Sequence, residues 1–297
     1  MLVFLNTRAH QNTVRGFLRS FGRALAGTVV VRSYERMLAE ARLPPALYVF
    51  GDLERLTPDQ AERAAALWRR LDARRDCRLL NHPTRSMCRY ELLRTLHERG
   101  RNRFDVYRAS EARAPRRFPV FLRGEHDHDG SRTPLLADAA ALAAALAELE
   151  RGGARRDDVL VTEFCDTAGA DGIYRKYAAF TIAGHIAPRH LFYGDEWMIK
   201  TTKREDPHLL AEEREYLKTN PHAAALAAVF ALARIDYGRI DYALLDGEPQ
   251  VWEINTNPMT VSFRHAGGAA RQGVQAAFAE RFAAALRALD PAAGTGR

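Results

Sequence analysis

The sequence predicts a mixed α/β (α+β) protein of more than one lobe, on three observations. Short β-branched or apolar runs alternate with segments of helical periodicity through the first 85 residues, as when strands cross over through helices into a parallel sheet. From Arg239 onward apolar and polar residues alternate with period two on either side of a tight-turn sequence, the pattern of a hairpin with one buried face. A chain of 297 residues also buries a large core and divides into two or three lobes.

The elements follow in order. Residues 2–5 form a buried-type apolar strand, and residues 12–26 have helical periodicity and stop at Gly27. Residues 28–31 and 47–50 read as strands. Thr57-Pro58-Asp59-Gln60 is a capping box with Pro at the first helical position, so a helix runs from there to about Arg75. Residues 77–80 form a fourth strand, ending at Asn81-His82-Pro83. No GxGxxG follows the first strand, so no dinucleotide site is expected there. Between residues 86 and 158 a helix (86–99) leads to strands near 104–107 and 119–123, then to a polar loop (124–131). An Ala-rich helix over 135–151 follows, closed by Gly152-Gly153. From residue 159 strands are expected near 159–164, 174–182 and 185–188, then helices, the hairpin, a mobile loop at 201–207 and a frayed tail from Pro291.

Composition narrows the class. No run of about twenty apolar residues is present, so no membrane span is expected. The opening MLVFLNTRAH lacks a basic leader and cleavage site, so no signal peptide is expected. Cys77, Cys88 and Cys165 lack metal spacing and even pairing, and read as reduced thiols of a cytoplasmic protein. The net charge of +7 comes from forty arginines against four lysines, a bias typical of GC-rich bacterial coding. The one short basic cluster, Arg113 to Arg117, reads as a solvated loop rather than a nucleic-acid surface. The four lysines all fall in one stretch (Lys176, Lys200, Lys203, Lys218), and Lys offers a point charge where a phosphate needs a tight contact. Oligomeric state stays open, a homo-oligomer included.

Arg239 to Pro258 carries the chemistry. Ile240, Tyr242, Leu244, Trp252 and Ile254 are expected on the apolar face, with a turn at Asp246-Gly247-Glu248-Pro249. Glu253 and Asn255 share the other face whatever the pairing. Asp241 joins them only if the residue opposite it is odd-numbered, since a one-residue slip turns it away. Two carboxylates and an amide oxygen suit Mg²⁺, a hard cation that takes oxygen ligands and leaves room for phosphate. A solvated strand face would look similar. Against it, Asn255 and Asn257 are strand-averse residues placed where Pro258 ends the strand.

Arg239-Ile240-Asp241-Tyr242 followed by Glu253-Ile254-Asn255-Thr256-Asn257-Pro258 resembles the C-terminal signature of the ATP-grasp superfamily. Its members include D-alanine–D-alanine ligase, glutathione synthetase and the glutamate ligases that modify a ribosomal protein. The resemblance implies a Rossmann-like lobe (1–85), then a two-lobed ATP-grasp domain with a middle part (86–158) and a C-terminal part holding the metal site (159–297). It implies Asp241, Glu253 and Asn255 as ligands of Mg²⁺, with Mn²⁺ a substitute, and Arg239 as the residue that stabilises the acyl phosphate. The strand ending at Arg123 resembles one that ends in a phosphate-binding Lys, here replaced, before a loop with only Gly124 and Gly130. Glu163, Phe164 and Cys165 match the hinge that lines the adenine pocket. Asp171, an acid several residues further on, is the one expected at the ribose, or else only shapes its own turn. Lys200 resembles the second phosphate-binding cation, and Lys176 serves the same end or binds an acidic substrate. His126-Asp127-His128-Asp129 reads as a lid or substrate contact, because neighbours on a loop do not converge as metal ligands without partners elsewhere.

The function implied is an ATP- and Mg²⁺-dependent ligase that activates a substrate carboxylate as an acyl phosphate for attack by an amine or thiol. A kinase acting on a hydroxyl would need the same metal face, but would keep the phosphate on its product. A degenerate nucleotide-binding module would keep the fold without turnover.

Overall fold

The structure is a computed structural model, and it describes residues 1–202, 204, 206–261 and 269–289. Lys203, part of the expected 201–207 loop and the expected frayed tail lie outside the described residues. Three sheets organise the described residues.

The first sheet is parallel, in the order β2 (Val29–Ser33), β1 (Leu2–Asn6), β3 (Leu47–Phe50), β4 (Arg78–Leu80). Helices α1 (Asn12–Arg19), α2 (Tyr34–Ala39) and α3 (Pro58–Asp72) connect its strands. The capping box at Thr57 and Gln60 forms as expected. Helix α1 ends well before the expected Gly27. The Ser20 hydroxyl donates to the Gly16 carbonyl at 2.7 Å, and Gly22 sits so close to Phe17 that a Cβ would lie 2.5 Å from its ring. The chain therefore folds tightly over Phe17 instead of continuing the helix. Helix α2 was not expected, and Ser33 caps it by accepting from the Arg36 N–H.

The second sheet is antiparallel, in the order β5 (Val106–Arg108), β7 (Val159–Glu163), β6 (Val120–Gly124). Helix α4 (Arg89–Glu98) precedes it, starting three residues later than expected because Cys88 and Glu91 form its capping box. Helix α5 (Ala139–Arg151) starts at an Asp138 cap rather than at residue 135.

The third sheet has the order β11 (Glu248–Asn255), β10 (Tyr237–Leu245), β8 (Tyr174–Ile182), β9 (His185–Gly194), all antiparallel. Strand β9 runs six residues past the expected stop at Pro188. It is an edge strand, and the ladder shifts register between Ala178 and Ala179, where a proline costs no paired donor. Helices α6 (Pro207–Thr219) and α7 (Ala223–Ala233) cover one face, around Tyr177, Tyr216, Leu226 and Phe230. Helix α8 (Ala269–Ala288) covers the other, where Phe278 and Phe282 meet Phe180, Phe4 of the first sheet and Phe17 of α1. One core thus joins the first and third sheets.

Side-chain amides tie the sheets to the β10–β11 hairpin. Asn81 Nδ2 donates to the carbonyls of Phe50 (3.0 Å) and Tyr237 (2.8 Å), while its Oδ1 accepts from the N–H groups of Asp236 (2.8 Å) and Tyr237 (3.0 Å). Asn102 brackets Val251 in the same way, both bonds being 3.0 Å. No helix among the described residues is long and apolar enough to cross a membrane.

Candidate functional site

The hairpin register settles the condition left open by the sequence. Asp241 lies opposite Glu253, and Arg239 opposite Asn255, so all four side chains share one face. The turn is tighter than expected. Asp246 and Gly247 alone form it, with φ of 53° and 80° as in a type I′ turn, and Glu248 and Pro249 already belong to β11. A bulge between Asp241 and Tyr242 then pairs Tyr242 with Val251. Val251 therefore takes the core place expected of Trp252. Trp252 is only half-buried; it stacks on Phe104 at 4.8 Å and lines a cavity.

That cavity has an empty volume of about 840 Å³, open to solvent, between the second and third sheets. Its two ends differ in chemistry. Phe121, Phe164 and Trp197 make an aromatic end, with ring centroids 4.8 Å (Phe121–Trp197) and 5.8 Å (Phe164–Trp197) apart. Arg123, Lys176, Lys200, Asp241 and Glu253 make a charged end. Cys165 lies in the lining, its thiol pushed up to about 11 by burial and so neutral. Gly130, at a φ of +87°, sits where a Cβ would approach Lys200 Cε to 3.0 Å.

The two carboxylates are held by cations. Asp241 accepts from Arg239 Nε at 2.7 Å and lies 3.4 Å from Lys176 Nζ. Glu253 lies 2.5 Å from Arg89, 2.6 Å from Arg123 and 3.5 Å from His128. Burial opposes ionisation of Glu253, but Arg89, His128 and Arg123 outweigh it and hold the carboxyl well below its usual range. Burial and the nearby Arg89 lower Arg123 to about 10, which leaves it charged at neutral pH. Asn255 Oδ1 accepts from the Asn257 N–H at 2.8 Å. Among the described residues no three His, Cys, Asp or Glu side chains converge as a metal cluster. The donor set is two carboxylates and an amide oxygen, which fits Mg²⁺ if phosphate and water complete the shell.

Several expected residues lie elsewhere. Asp171 pairs with Arg175 at 2.9 Å and accepts from the Ile173 N–H, in an exposed turn outside the cavity lining. The Glu163 side chain is buried away from the cavity. It accepts from the N–H of Asp105 (3.1 Å), the hydroxyl of Tyr107 (3.0 Å) and the N–H groups of Arg116 (3.0 Å) and Arg117 (3.2 Å). Glu163→Ala strips these donors of their acceptor and is expected to cost about 2–4 kcal/mol. Chemical denaturation checks this, and a loss below about 1 kcal/mol would remove Glu163 as the anchor of the 105–117 segment. Both histidines of the 126–129 run contact Glu54, while Asp127 pairs with Arg132 at 2.6 Å. His128 Nε2 lies 3.0 Å from Glu54 Oε1, and His126 Nδ1 lies 3.0 Å from the Glu54 carbonyl.

Sequence reasoning missed Arg89, His128 as a partner of Glu253, and Trp197 as a wall of the cavity. Arg89 is one arginine among forty, in the first turn of α4 and 164 residues from its partner, with no local signal. Trp197 stood in a run read as the end of a strand, but β9 ends at Gly194 and residues 197–200 line the cavity.

Comparison with known proteins gives the fold. No family model matches the chain, and no curated protein matches it in sequence. Solved structures do match. D-alanine–D-alanine ligase from Bacillus anthracis is 14% identical over 95% of this chain and 97% of its own, with a TM-score of 0.53. The same ligase complexed with ATP is 14% identical over 97% of this chain and 98% of its own, also at 0.53. L-amino acid ligase from Bacillus licheniformis is 12% identical over 86% of this chain and 67% of its own, with a TM-score of 0.51. With its three sheets, its hairpin face and these likenesses, the chain has the fold of the ATP-grasp superfamily.

Proposed function

We propose that the protein is an ATP- and Mg²⁺-dependent ligase that joins a substrate carboxylate to an amine or thiol. The observation that carries this reading is the register that pairs Asp241 with Glu253 at the charged end of a cavity whose other end is aromatic. A nucleotide needs both ends, a flat apolar slot for the base and cations with a metal for the phosphates. The likeness to a D-alanine–D-alanine ligase complexed with ATP supports the same choice.

In this reading Phe121, Phe164 and Trp197 take the base, and Arg123 and Lys200 contact phosphate oxygens. Asp241, Glu253 and Asn255 would hold Mg²⁺, which neutralises charge on the β and γ oxygens when bound. The substrate carboxylate attacks the γ-phosphorus, the bond to the β-phosphate oxygen breaks, and acyl phosphate and ADP form. The acceptor then attacks the acyl carbon, phosphate leaves, and the acceptor loses a proton. Arg239 stabilises the charge on the acyl phosphate, so positioning and charge neutralisation do most of the work.

The test is a screen of carboxylic acids with ATP, Mg²⁺ and hydroxylamine, a general trap for acyl phosphates. Acid-dependent release of phosphate with formation of a hydroxamate supports the ligase. Transfer of phosphate to a hydroxyl without release would replace it by a kinase.

A further inference from the structure

Beyond Asp241 the same face of the third sheet carries more positive charge than the nucleotide explains. Asp241 lies opposite Ala178, and Ala178 opposite His190, so one cross-strand row runs from Glu253 to His190 over the small Ala178. Arg189 lies at the register shift in β9, and its guanidinium stands 4.6 Å from the ring of Phe278 on α8. Arg271, in the first turn of α8, stands 4.9 Å from the ring of Phe192, on which His190 stacks at 3.8 Å.

These groups are built in. Arg189, His190 and Arg271 are 6%, 5% and 4% exposed. Arg189 Nη1, Arg271 Nε and both ring nitrogens of His190 have no hydrogen-bond partner among the described residues. Arg271 is paired with Glu213, but Arg189 has no acidic partner among the described residues. Burial and the surrounding Arg189, Arg239, Lys176 and Arg271 hold His190 well below its usual range, so the ring is neutral. Helix α8 has no acid in its first turn, and its positive end adds to the same field. Buried cations left with unused donors are costly unless an anion completes them.

We propose that this cluster binds a second carboxylate of the substrate, so that the acid activated at Asp241 and Arg239 is a dicarboxylic acid whose far end rests on Arg189 and Arg271. The inference rests on the ligase reading for the near end only. Two strand spacings separate the Asp241 and His190 backbones, roughly 10 Å. The long Arg189 side chain covers part of that distance, and Arg239 and Asp241 are among the charges acting on its guanidinium. The forked guanidinium matches a planar carboxylate.

The experiment is calorimetric titration of glutarate and of pentanoate into the full chain at equal ionic strength, with ATP and Mg²⁺ titrated separately. Glutarate is expected to bind at least about tenfold more tightly than pentanoate, which has the same length and one carboxylate, the worth of one charge-assisted pair. Arg189→Gln and Arg271→Gln are expected to remove that preference, and melting curves establish that each variant is folded. The comparison of the two acids in wild type needs no variant. Equal binding of the two acids, no glutarate binding, or an undiminished preference in both variants would overturn the proposal. Nucleotide binding without glutarate binding would sink the anion site and leave the ligase standing. Glutarate binding without nucleotide would do the reverse.

Discussion

Asp241→Asn and Glu253→Gln, alone or together, are expected to remove the Mg²⁺-dependent part of ATP binding. They should also lower kcat/KM for acid-dependent phosphate release by about 10³-fold, which is about 4 kcal/mol of transition-state stabilisation. The size follows from the geometry. The two carboxylates face each other across one pair of the hairpin and are, among the described residues, the only acids in the cavity lining, so neither has a substitute there. The amides keep shape and hydrogen bonding, so the Arg239 and Arg89 contacts persist in weakened form and the fold survives. Titration of ATP with and without Mg²⁺ into wild type and variants checks this. If the double variant binds Mg²⁺-ATP as wild type does, the hairpin face is not the metal site.

The largest effect on stability should come from Asn81→Ala, a loss of about 3–5 kcal/mol. Asn81 sits at a φ of +61°, a conformation asparagine tolerates and alanine resists. Its amide closes four hydrogen bonds with backbone groups of Phe50, Asp236 and Tyr237, and the residue is 1% exposed. Removing it leaves buried donors and acceptors of two sheets unpaired at once. Urea denaturation measures the loss. A change under about 1 kcal/mol would mean that the shared core of Phe4, Phe180 and Tyr237 holds the sheets together without this amide.

What was legible in the sequence was local or periodic. The capping box at Thr57 and the hairpin face follow from spacing within a short stretch, and the parallel first sheet follows from the alternation of strands and helices over the first 85 residues. The register of the hairpin was not legible, because alternation fixes which residues share a face within one strand and not how two strands align. The bulge at Asp241 then moved Val251 inward and Trp252 to the cavity, which no strict period of two anticipates. Pro188 read as a stop because the position of β9 at the sheet edge is a property of the whole topology. The partners of Glu253 come from α4, β6 and the following loop, so the electrostatics of the site depend on contacts more than a hundred residues apart.

The bracket that Asn102 places on Val251 also bears on how the molecule avoids its own copies. Strand β11 is the outermost strand of its sheet, and a bare outer strand is a template for another chain to add to. The Asn102 amide offers Val251 one donor and one acceptor, as a neighbouring strand would, and the Arg103 N–H donates to the side-chain Oε1 of Gln250 beside it. Asn102→Ala is therefore expected to raise concentration-dependent self-association, seen as growth in light scattering, before any loss of secondary structure. A single amide side chain here occupies, at the middle of an outer strand, the place that one residue of an added strand would take.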